Sequence, residues 1–414
     1  MKVQPVKKSA VLLFALLISP AFADGIQNPG ASGGGGFPLQ AGASQLSPAQ
    51  LNSFRQIFSQ AINKTGGPIL IPMFGDSTMA GVGIGTGGSQ NMNGAWARSW
   101  PQTLARMLTN LGIPTQINSV FGDSNITQYV AYNAYNSQVV LGSGFVTNSL
   151  AIPGGFAFTC SCGGGFNNAS STFSFTPPNN IDSFYVFWGG RGGTATVNVD
   201  GGAALTVTSG LSAGLSTVTV PASFVSFANA QSLFNVTAGA HTINVVVQSG
   251  TTTDIMGVRA FLSTGNYIDL MPVPASGAKI ASFDNPTGTF RDGKYFVAYV
   301  PGIQEIIIDL TVNDIANGTT GASYTSSLTD MATFDGSNWV FMLGPYMAAM
   351  GTVGNNPIVQ AINTYGAAHN QPTLDFATRW IGGATNLTGG DGIHPTFAGH
   401  GDIARYLAFL MSQM

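Results

Sequence analysis

The sequence predicts an α/β protein whose parallel sheet is interrupted by a long all-β segment. Short apolar runs such as residues 68–74 and 305–310 occur near both ends of the 414-residue chain, with helical stretches between them. Such runs are typical of buried parallel strands, because helices cover both faces of a parallel sheet. Residues 121–265, in contrast, are rich in Gly, Ser, Thr, Val and Phe in alternating runs, which predicts a β-sandwich or jelly roll.

The N-terminal segment predicts an export signal. Three lysines precede the mostly apolar stretch 9–20, and Ala21-Phe22-Ala23 then provides the small-x-small pattern that signal peptidase recognises. The apolar stretch is shorter than the ~20 residues of a transmembrane helix. We therefore expect a signal peptide over 1–23, cleaved near Ala23, and a flexible leader over 24–45. The mature chain is then expected to be secreted or periplasmic, without a membrane span.

Composition narrows the classes of partner. Charged residues make up 7% of the chain, and removal of residues 1–23 leaves 11 basic and 17 acidic residues, a formal net charge of −6. Nucleic-acid binding is not expected, because phosphate neutralisation needs clustered Lys and Arg. Cys160 and Cys162 are separated by one residue, which leaves open a local staple in a loop or two free thiols. No metal or organic cofactor is expected, and the oligomeric state stays open.

The α/β elements are predicted in two portions of the chain, 46–120 and 266–414. In the first portion, Ser47-Pro48 has the pattern of a helix start, and a strand over 68–74 and a helix over 100–111 follow. This alternation predicts a parallel sheet covered on both faces, with 121–265 as a separate inserted domain. In the second portion, four strands and a final helix are predicted, at 267–273, 305–310, 338–343, 372–376 and 397–411.

Two short motifs carry residues suited to nucleophilic catalysis. Ser77, in a Gly-Asp-Ser triplet, comes directly after the first predicted strand, where open α/β sheets place their sites. The triplet recurs at 122–124, so it is weak on its own. Asp391 and His394 are three residues apart in Asp-Gly-Ile-His-Pro, so the carboxylate can orient one imidazole nitrogen while the other faces a serine. The remaining histidines are expected to be structural: His241, His369 and His400.

A third motif supplies an amide side chain. Asn313 follows the strand predicted over 305–310. Its side chain either donates a hydrogen bond to a developing oxyanion or caps the next segment in an Asx turn.

Together these motifs resemble those of the GDSL, or SGNH, hydrolase family, over residues 66–120 and 266–414. Ser77 matches the serine block, Asn313 the Gly-x-Asn-Asp block, and Asp391 with His394 the Asp-x-x-His-Pro block. The resemblance implies a flavodoxin-like three-layer α/β/α fold and a serine esterase without a cofactor. It also implies that Ser77 attacks an ester carbonyl and that His394, oriented by Asp391, is its base. The oxyanion would be held by the Ser77 amide, a glycine amide and the Asn313 side chain.

Two positions depart from the family pattern or match it ambiguously. Thr311 stands where the family has the glycine of Gly-x-Asn-Asp. The oxyanion glycine is matched either by Gly277, after the strand predicted over 267–273, or by Gly122, just before the inserted segment. We favour Gly277, because its distance from the strand that precedes Asn313 is that of a normal βα unit.

The inserted segment is similar to the carbohydrate-binding-type domains of bacterial carbohydrate esterases in this superfamily. Its tyrosines at 129, 132 and 135 are candidates either for sugar stacking or for the core. Arg191 and Arg259 are candidates for the rim of a cleft. Four further aromatic residues form either a sugar-stacking platform or the core of a strand: Phe184, Tyr185, Phe187 and Trp188.

The expected function is hydrolysis of small acyl esters, above all O-acetyl esters, on a polysaccharide through a Ser-His-Asp triad and an acyl-enzyme. Three alternatives stay open. An acyltransferase would use the same residues, and a non-catalytic glycan-binding protein would retain only the fold. A lipase or aryl-esterase would use an apolar acyl pocket, for which the candidates are Met73, Met79, Met92 and Phe121.

Overall fold

The predicted α/β elements occur close to their expected bounds. The strands expected at 68–74 and 267–273 are Ile69–Gly75 and Ile268–Pro274, and the final helix is Phe397–Ser412. The predicted signal peptide and leader, Tyr129 and Arg191 lie outside the described residues. The computed structural model describes residues 48–63, 66–84, 92–123, 126, 131–149, 156–162, 171–188, 194–203, 205–208, 231–248, 251–284, 302–335, 338–344, 350–380 and 387–412.

The described strands and helices follow one another in this order. The strands are β1 (Ile69–Gly75), β2 (Thr115–Gln116), β3 (Ser119–Phe121), β4 (Val139–Leu141), β5 (Phe145–Ser149), β6 (Phe156–Cys162), β7 (Thr172–Phe175), β8 (Ile181–Trp188), β9 (Thr194–Val199), β10 (Leu205–Thr208), β11 (Gln231–Gly239), β12 (Ile243–Val247), β13 (Thr251–Phe261), β14 (Ile268–Pro274), β15 (Glu305–Asp309), β16 (Asn338–Leu343) and β17 (Thr373–Asp375). The helices are Pro48–Ile62, Ser77–Ala80, Ala95–Arg98, Trp100–Asn110, Tyr132–Tyr135, Ile280–Asp284, Val312–Ala316, Gly321–Asp335, Pro357–His369, Phe376–Arg379 and Phe397–Ser412, with a 3₁₀ turn at Val353–Asn355.

A six-stranded parallel sheet forms the centre of the α/β portion. Its order is β17-β16-β15-β1-β14-β2, and every pair in it is parallel. Chain order therefore reverses at β1, which lies between β14 and β15. The carboxyl ends of these three strands form the crevice at which open α/β sheets bind their ligands. All residues of β1, β14 and β15 are buried, as expected of central parallel strands.

Two groups of helices cover the sheet. Helix Trp100–Asn110 packs against the final helix, Phe397–Ser412. Helix Gly321–Asp335 packs against Pro357–His369 and against the short helix Ile280–Asp284. The final helix carries a buried ion pair, in which the Asp402 carboxylate accepts hydrogen bonds from Arg379 and Trp380.

Residues 119–261 contain two antiparallel sheets. One has the order β11-β8-β13-β6-β5, with β3 also paired to β13, and the other has the order β10-β9-β12-β7-β4. The sheets meet through aromatic side chains, since the rings of Phe158 and Phe173 are 5.0 Å apart between centroids. The expected all-β architecture is therefore present, although β2 still belongs to the parallel sheet. The domain bounds at 121 and 265 stay a prediction. Cys160 lies on β6, in a strand rather than a loop, and is disulfide-bonded.

The antiparallel sheets share a core with the parallel sheet. Phe187 and Met256 belong to the same cluster of buried side chains as Phe74 and Met271. Arg259 on β13 donates from Nε to Asp269 on β14 at 2.7 Å, and both side chains are buried. The two sheet systems are thus joined by packing and by a buried ion pair.

Burial decides two interpretations that the sequence left open for this segment. Arg259 does not flank a cleft, because it is 4% exposed and paired with Asp269. The four aromatic residues are core rather than a sugar-stacking platform, because each is at most 6% exposed: Phe184, Tyr185, Phe187 and Trp188. Tyr185 and Phe187 belong to the core that is shared with the parallel sheet. No helix within the described ranges is both long and apolar enough to cross a membrane.

Candidate active site

Ser77 is held at the carboxyl end of β1 by a tight turn. Asp76 caps the helix Ser77–Ala80 by accepting a hydrogen bond from the Thr78 N–H at 2.8 Å. A Cβ at Gly75 would lie 2.6 Å from the Met79 side chain, so this turn requires glycine. The sequence Gly-Asp-Ser thus places one serine hydroxyl at the edge of the sheet where chain order reverses.

Ser77 forms a hydrogen-bonded chain with His394 and Asp391. The Ser77 Oγ and His394 Nε2 atoms are 2.8 Å apart, and His394 Nδ1 and Asp391 Oδ2 are 2.6 Å apart. The other Asp391 oxygen accepts the backbone N–H groups of Ile393 and His394 at 2.9 and 3.0 Å. One carboxylate therefore fixes both the turn and the imidazole. With Nδ1 protonated toward Asp391, Nε2 can accept a proton from Ser77.

Asp391 stays ionised at neutral pH. Partial burial raises its pKa, but hydrogen bonds from the His394 side chain and from the backbone of Ile393 and His394 outweigh burial and hold the pKa below its ordinary value. The turn is also braced on both sides of the histidine. The Gly389 N–H donates to the His394 carbonyl at 2.7 Å, and the Thr396 N–H donates to the Leu387 carbonyl at 2.8 Å.

The loop after the Ser77 helix lies directly against the His394 turn. Gly83 has a φ of +94°, a conformation that residues with a side chain rarely adopt. A Cβ at this position would lie 2.6 Å from the Pro395 carbonyl oxygen and 2.7 Å from the His394 Cβ. The contact that keeps serine and histidine within hydrogen-bond distance therefore depends on a glycine.

Asn313 follows β15 and faces the Ser77 turn. Its Nδ2 donates to Asp76 Oδ2 at 3.0 Å, which fixes one amide hydrogen and leaves the second for another acceptor. Thr311, where the family has glycine, has a φ of −124° and needs no glycine. Its hydroxyl accepts a hydrogen bond from the Gly344 N–H at 2.8 Å. A residue with a side chain therefore fits at this position.

Two buried carboxyl groups lie under the nucleophile turn. Thr78 Oγ1 donates to Asp309 Oδ2 at 3.1 Å, while Asp76 accepts from Thr78 and Asn313. Burial raises the pKa of Asp76, and it raises the pKa of Asp309 well above the ordinary value, to which the charge of Asp76 contributes. The raised pKa therefore favours the protonated form of Asp309 more strongly than that of Asp76.

The two glycine candidates occupy different places. Gly277 follows β14, beside β1, and the Ala275 N–H donates to the Gly75 carbonyl at 2.8 Å, so its loop adjoins the Ser77 turn. Gly277 is exposed, with a φ of +83°. Gly122 follows β3, which pairs with β13 of an antiparallel sheet, and its N–H donates to the Met256 carbonyl at 3.1 Å. The Gly122 amide is thus already engaged.

The other histidines have structural partners. His400 is fully buried, and its Nδ1 accepts the Trp100 N–H at 3.1 Å. Burial lowers the pKa of His400 to about 3, so it is neutral. His369 stacks on the Tyr365 ring at the end of a helix. His241, just before β12, pairs with Asp200, just after β9, at 2.7 Å. Among the residues that the structure describes, no cluster of three or more His, Cys, Asp or Glu side chains could hold a metal ion.

Sequence reasoning missed the carboxylates that support these residues. Asp76 belongs to the quoted triplet, Asp314 to the asparagine motif and Asp309 to the strand before it, but nothing in their spacing indicates that they are buried together. Tyr132 and Tyr135 are also buried, and the Tyr135 hydroxyl donates to the Ala80 carbonyl at 2.8 Å. The candidates for an acyl pocket are core residues, each at most 3% exposed: Met73, Met79, Met92 and Phe121.

Comparisons with known proteins agree with this architecture. No protein-family model and no curated protein matches the chain. A solved structure of a peptidoglycan O-acetylesterase aligns over 89% of this chain and 97% of its own, with a TM-score of 0.59 and 14% identity. A family two carbohydrate esterase from Clostridium thermocellum in complex with cellohexaose aligns over 66% and 98%, with a TM-score of 0.29 and 12% identity.

A protein from Slackia heliotrinireducens described among SGNH hydrolases aligns over 35% of this chain and 85% of its own, with a TM-score of 0.28 and 21% identity. The fold comparison depends on the peptidoglycan O-acetylesterase, which spans both sheet systems of this chain. The chain therefore shares the fold of that esterase, with an α/β portion built on a parallel sheet and two additional antiparallel sheets.

Proposed function

We propose that the chain is a secreted serine esterase that removes small acyl groups, above all O-acetyl groups, from a polysaccharide. The observation that carries the proposal is the hydrogen-bonded chain from Ser77 through His394 to Asp391, with distances of 2.8 and 2.6 Å. A serine hydroxyl is a weak nucleophile, and a base that a carboxylate orients is what activates it.

In the proposed mechanism, Ser77 Oγ attacks the acyl carbon while its proton passes to His394 Nε2. The carbonyl oxygen becomes an oxyanion, and we assign it three donors: the Ser77 and Gly277 amides and the second Nδ2 hydrogen of Asn313. His394 then gives the proton to the departing sugar oxygen, which leaves as a hydroxyl group. Water, deprotonated by His394, cleaves the acyl-enzyme to a carboxylic acid and restores Ser77.

The polysaccharide substrate is proposed on two grounds. The protein with the similar fold is a peptidoglycan O-acetylesterase, and the similarity covers the antiparallel sheets as well as the parallel one. The chain also has 7% charged residues, which suits an uncharged polymer better than a phosphate-rich one.

The first test is hydrolysis of p-nitrophenyl acetate and its longer homologues. Wild type is expected to hydrolyse the acetate fastest, and Ser77→Ala to lose turnover by at least ~10⁴-fold. The control is Ser183→Ala, which removes a buried serine of β8 that hydrogen-bonds Asn235. It is expected to retain wild-type turnover. Absence of turnover by wild type would contradict the esterase proposal.

The second test addresses the substrate. Acetate release from O-acetylated peptidoglycan and from O-acetylated xylan would be measured. Fatty-acid release from a triglyceride emulsion would be measured beside it. Faster release from a glycan supports the proposal, and turnover that rises with acyl chain length supports a lipase instead. Acetyl transfer to an added sugar acceptor, at the expense of free acetate, would indicate an acyltransferase.

Export is proposed together with the activity. The basic and apolar segments before Ala23 carry this proposal. N-terminal sequencing of the protein recovered outside the cytoplasm is expected to begin at Asp24. A mature protein that retains Met1 inside the cell would contradict it.

A further inference from the structure

We propose that Asp123 is a positioning residue for the loop after β14, which carries Gly277. Asp123 lies in the antiparallel segment, residues 119–261, which contains both antiparallel sheets. The inference rests on the proposed function, because it assumes that Gly277 donates to the oxyanion. Asp123 belongs to the second Gly-Asp-Ser triplet of the chain, for which the mechanism above has no use. The triplet would thus serve catalysis through its aspartate and not through its serine or glycine.

The loop is anchored to Asp123 one residue before Gly277. Both the backbone N–H and the hydroxyl of Ser276 donate to Asp123 Oδ2, at 3.3 and 2.7 Å. Asp123 is fully buried and Ser276 is 3% exposed, so water does not compete for these bonds. Gly277 itself is exposed and has a φ of +83°.

A second carboxylate anchors the other side of the loop. The Ile280 N–H donates to Asp314 Oδ2 at 2.8 Å, and Asp314 is the residue after Asn313. The turn between the anchors is closed by the Ala278 N–H, which donates to the Ala275 carbonyl at 2.9 Å. The exposed glycine is therefore held between two fixed points, one from the antiparallel segment and one from the asparagine motif.

The antiparallel segment also supports the nucleophile turn. The Tyr135 hydroxyl donates to the carbonyl of Ala80, the last residue of the Ser77 helix, at 2.8 Å. The Tyr132 hydroxyl donates to the Phe121 carbonyl at 2.8 Å, two residues before Asp123. The segment thus reaches both the serine turn and the glycine loop, which a separate binding module would not do.

The test is a double-mutant cycle with Asp123→Asn and Ser276→Ala, assayed on p-nitrophenyl acetate. Displacement of an oxyanion donor weakens binding of the transition state more than binding of the ground state. Each variant is therefore expected to lower kcat ~10–100-fold, with KM changed less than ~3-fold. Because both variants perturb the same contact, the double variant is expected to lose no more than the worse single variant.

The matched control is Thr159→Val, which breaks a buried hydroxyl–carboxylate bond of the same kind. Thr159 Oγ1 donates to Asp254 Oδ1 at 2.7 Å on β6 and β13. It is expected to lower the unfolding midpoint without a change in kcat. If Asp123→Asn fails to fold, the kcat of Ser276→Ala alone tests the positioning role. That variant removes one hydroxyl and leaves Asp123 its hydrogen bond from the backbone N–H of residue 276.

Two outcomes separate this inference from the proposed function. If wild type is active, Ser77→Ala is inactive, and both Asp123→Asn and Ser276→Ala retain wild-type kcat, the positioning role is wrong and the esterase proposal stands. If wild type hydrolyses no ester, the proposed function is wrong and the inference falls with it. Strictly multiplicative effects in the double variant would also overturn the inference, because the two residues would then act independently.

Discussion

Truncation of Asn313 is expected to lower both kcat and stability, each through a different hydrogen of its side-chain amide. The Asn313 side chain has two amide hydrogens, and one is engaged by Asp76 Oδ2 at 3.0 Å. In Asn313→Ala the oxyanion loses one of its three proposed donors, which costs about 3–4 kcal/mol, or ~10²–10³-fold in kcat. KM is expected to change little, because the ester carbonyl carries no full charge before attack.

The same substitution removes a partner of a buried carboxylate. Asp76 is fully buried and keeps its hydrogen bond from the Thr78 N–H, so the loss of the Asn313 bond is expected to lower the free energy of unfolding by ~1.5–3 kcal/mol. Steady-state kinetics on p-nitrophenyl acetate and urea unfolding would measure the two effects on one preparation.

The control is Asn244→Ala on β12. The Asn244 amide donates to Asn198 and accepts from Ser174, at 3.1 and 2.7 Å, in an antiparallel sheet away from the serine. This variant is expected to lose stability while kcat stays at the wild-type value. An Asn313→Ala enzyme whose kcat lies within threefold of wild type would refute the oxyanion role.

Three further predictions concern the surroundings of the site. Gly83→Ala is expected to cost ~1–3 kcal/mol of stability and to lower kcat at least ~10-fold, because its Cβ would push against the His394 turn at a φ of +94°. Asp402→Asn is expected to cost ~3–5 kcal/mol, because the Arg379 guanidinium would be left buried without its anion. Burial raises the pKa of Asp314 from 3.8 to about 6, so the native state binds this proton more tightly than the unfolded state does. The unfolding free energy of wild type relative to Asp314→Asn is therefore expected to fall by ~2 kcal/mol between pH 4 and pH 6.

Kinetic and unfolding measurements test these three predictions. Kinetics and urea unfolding together test Gly83→Ala, and wild-type values for both would show that the loop adapts. Urea unfolding at neutral pH tests Asp402→Asn, and a loss below ~1 kcal/mol would mean that water reaches Arg379. Unfolding from pH 4 to pH 7 tests Asp314→Asn, and a difference that does not change with pH would place the carboxyl pKa near its ordinary value.

Much of the fold follows from local patterns. The apolar run after residue 67 forms β1, and the predicted helix at 100–111 is Trp100–Asn110. These patterns work because a parallel strand is buried on both faces and so must be apolar along its length. β2, only two residues long, escaped prediction because it pairs at the edge of the sheet and has no run to detect.

The sequence by itself determined the fold class and drew attention to Ser77, Asn313, Asp391 and His394, because catalytic side chains occur in short motifs at the ends of strands. It could not tell a sugar platform from a core, since an aromatic strand such as Phe184–Trp188 reads the same whether or not a second sheet covers it. Only the tertiary structure decided which aromatic residues are buried and which glycine lies beside the serine. It also brought Asp123 against Ser276, 153 positions away along the chain. Contacts of this kind depend on how sheets pack across the chain, and no local pattern encodes that packing.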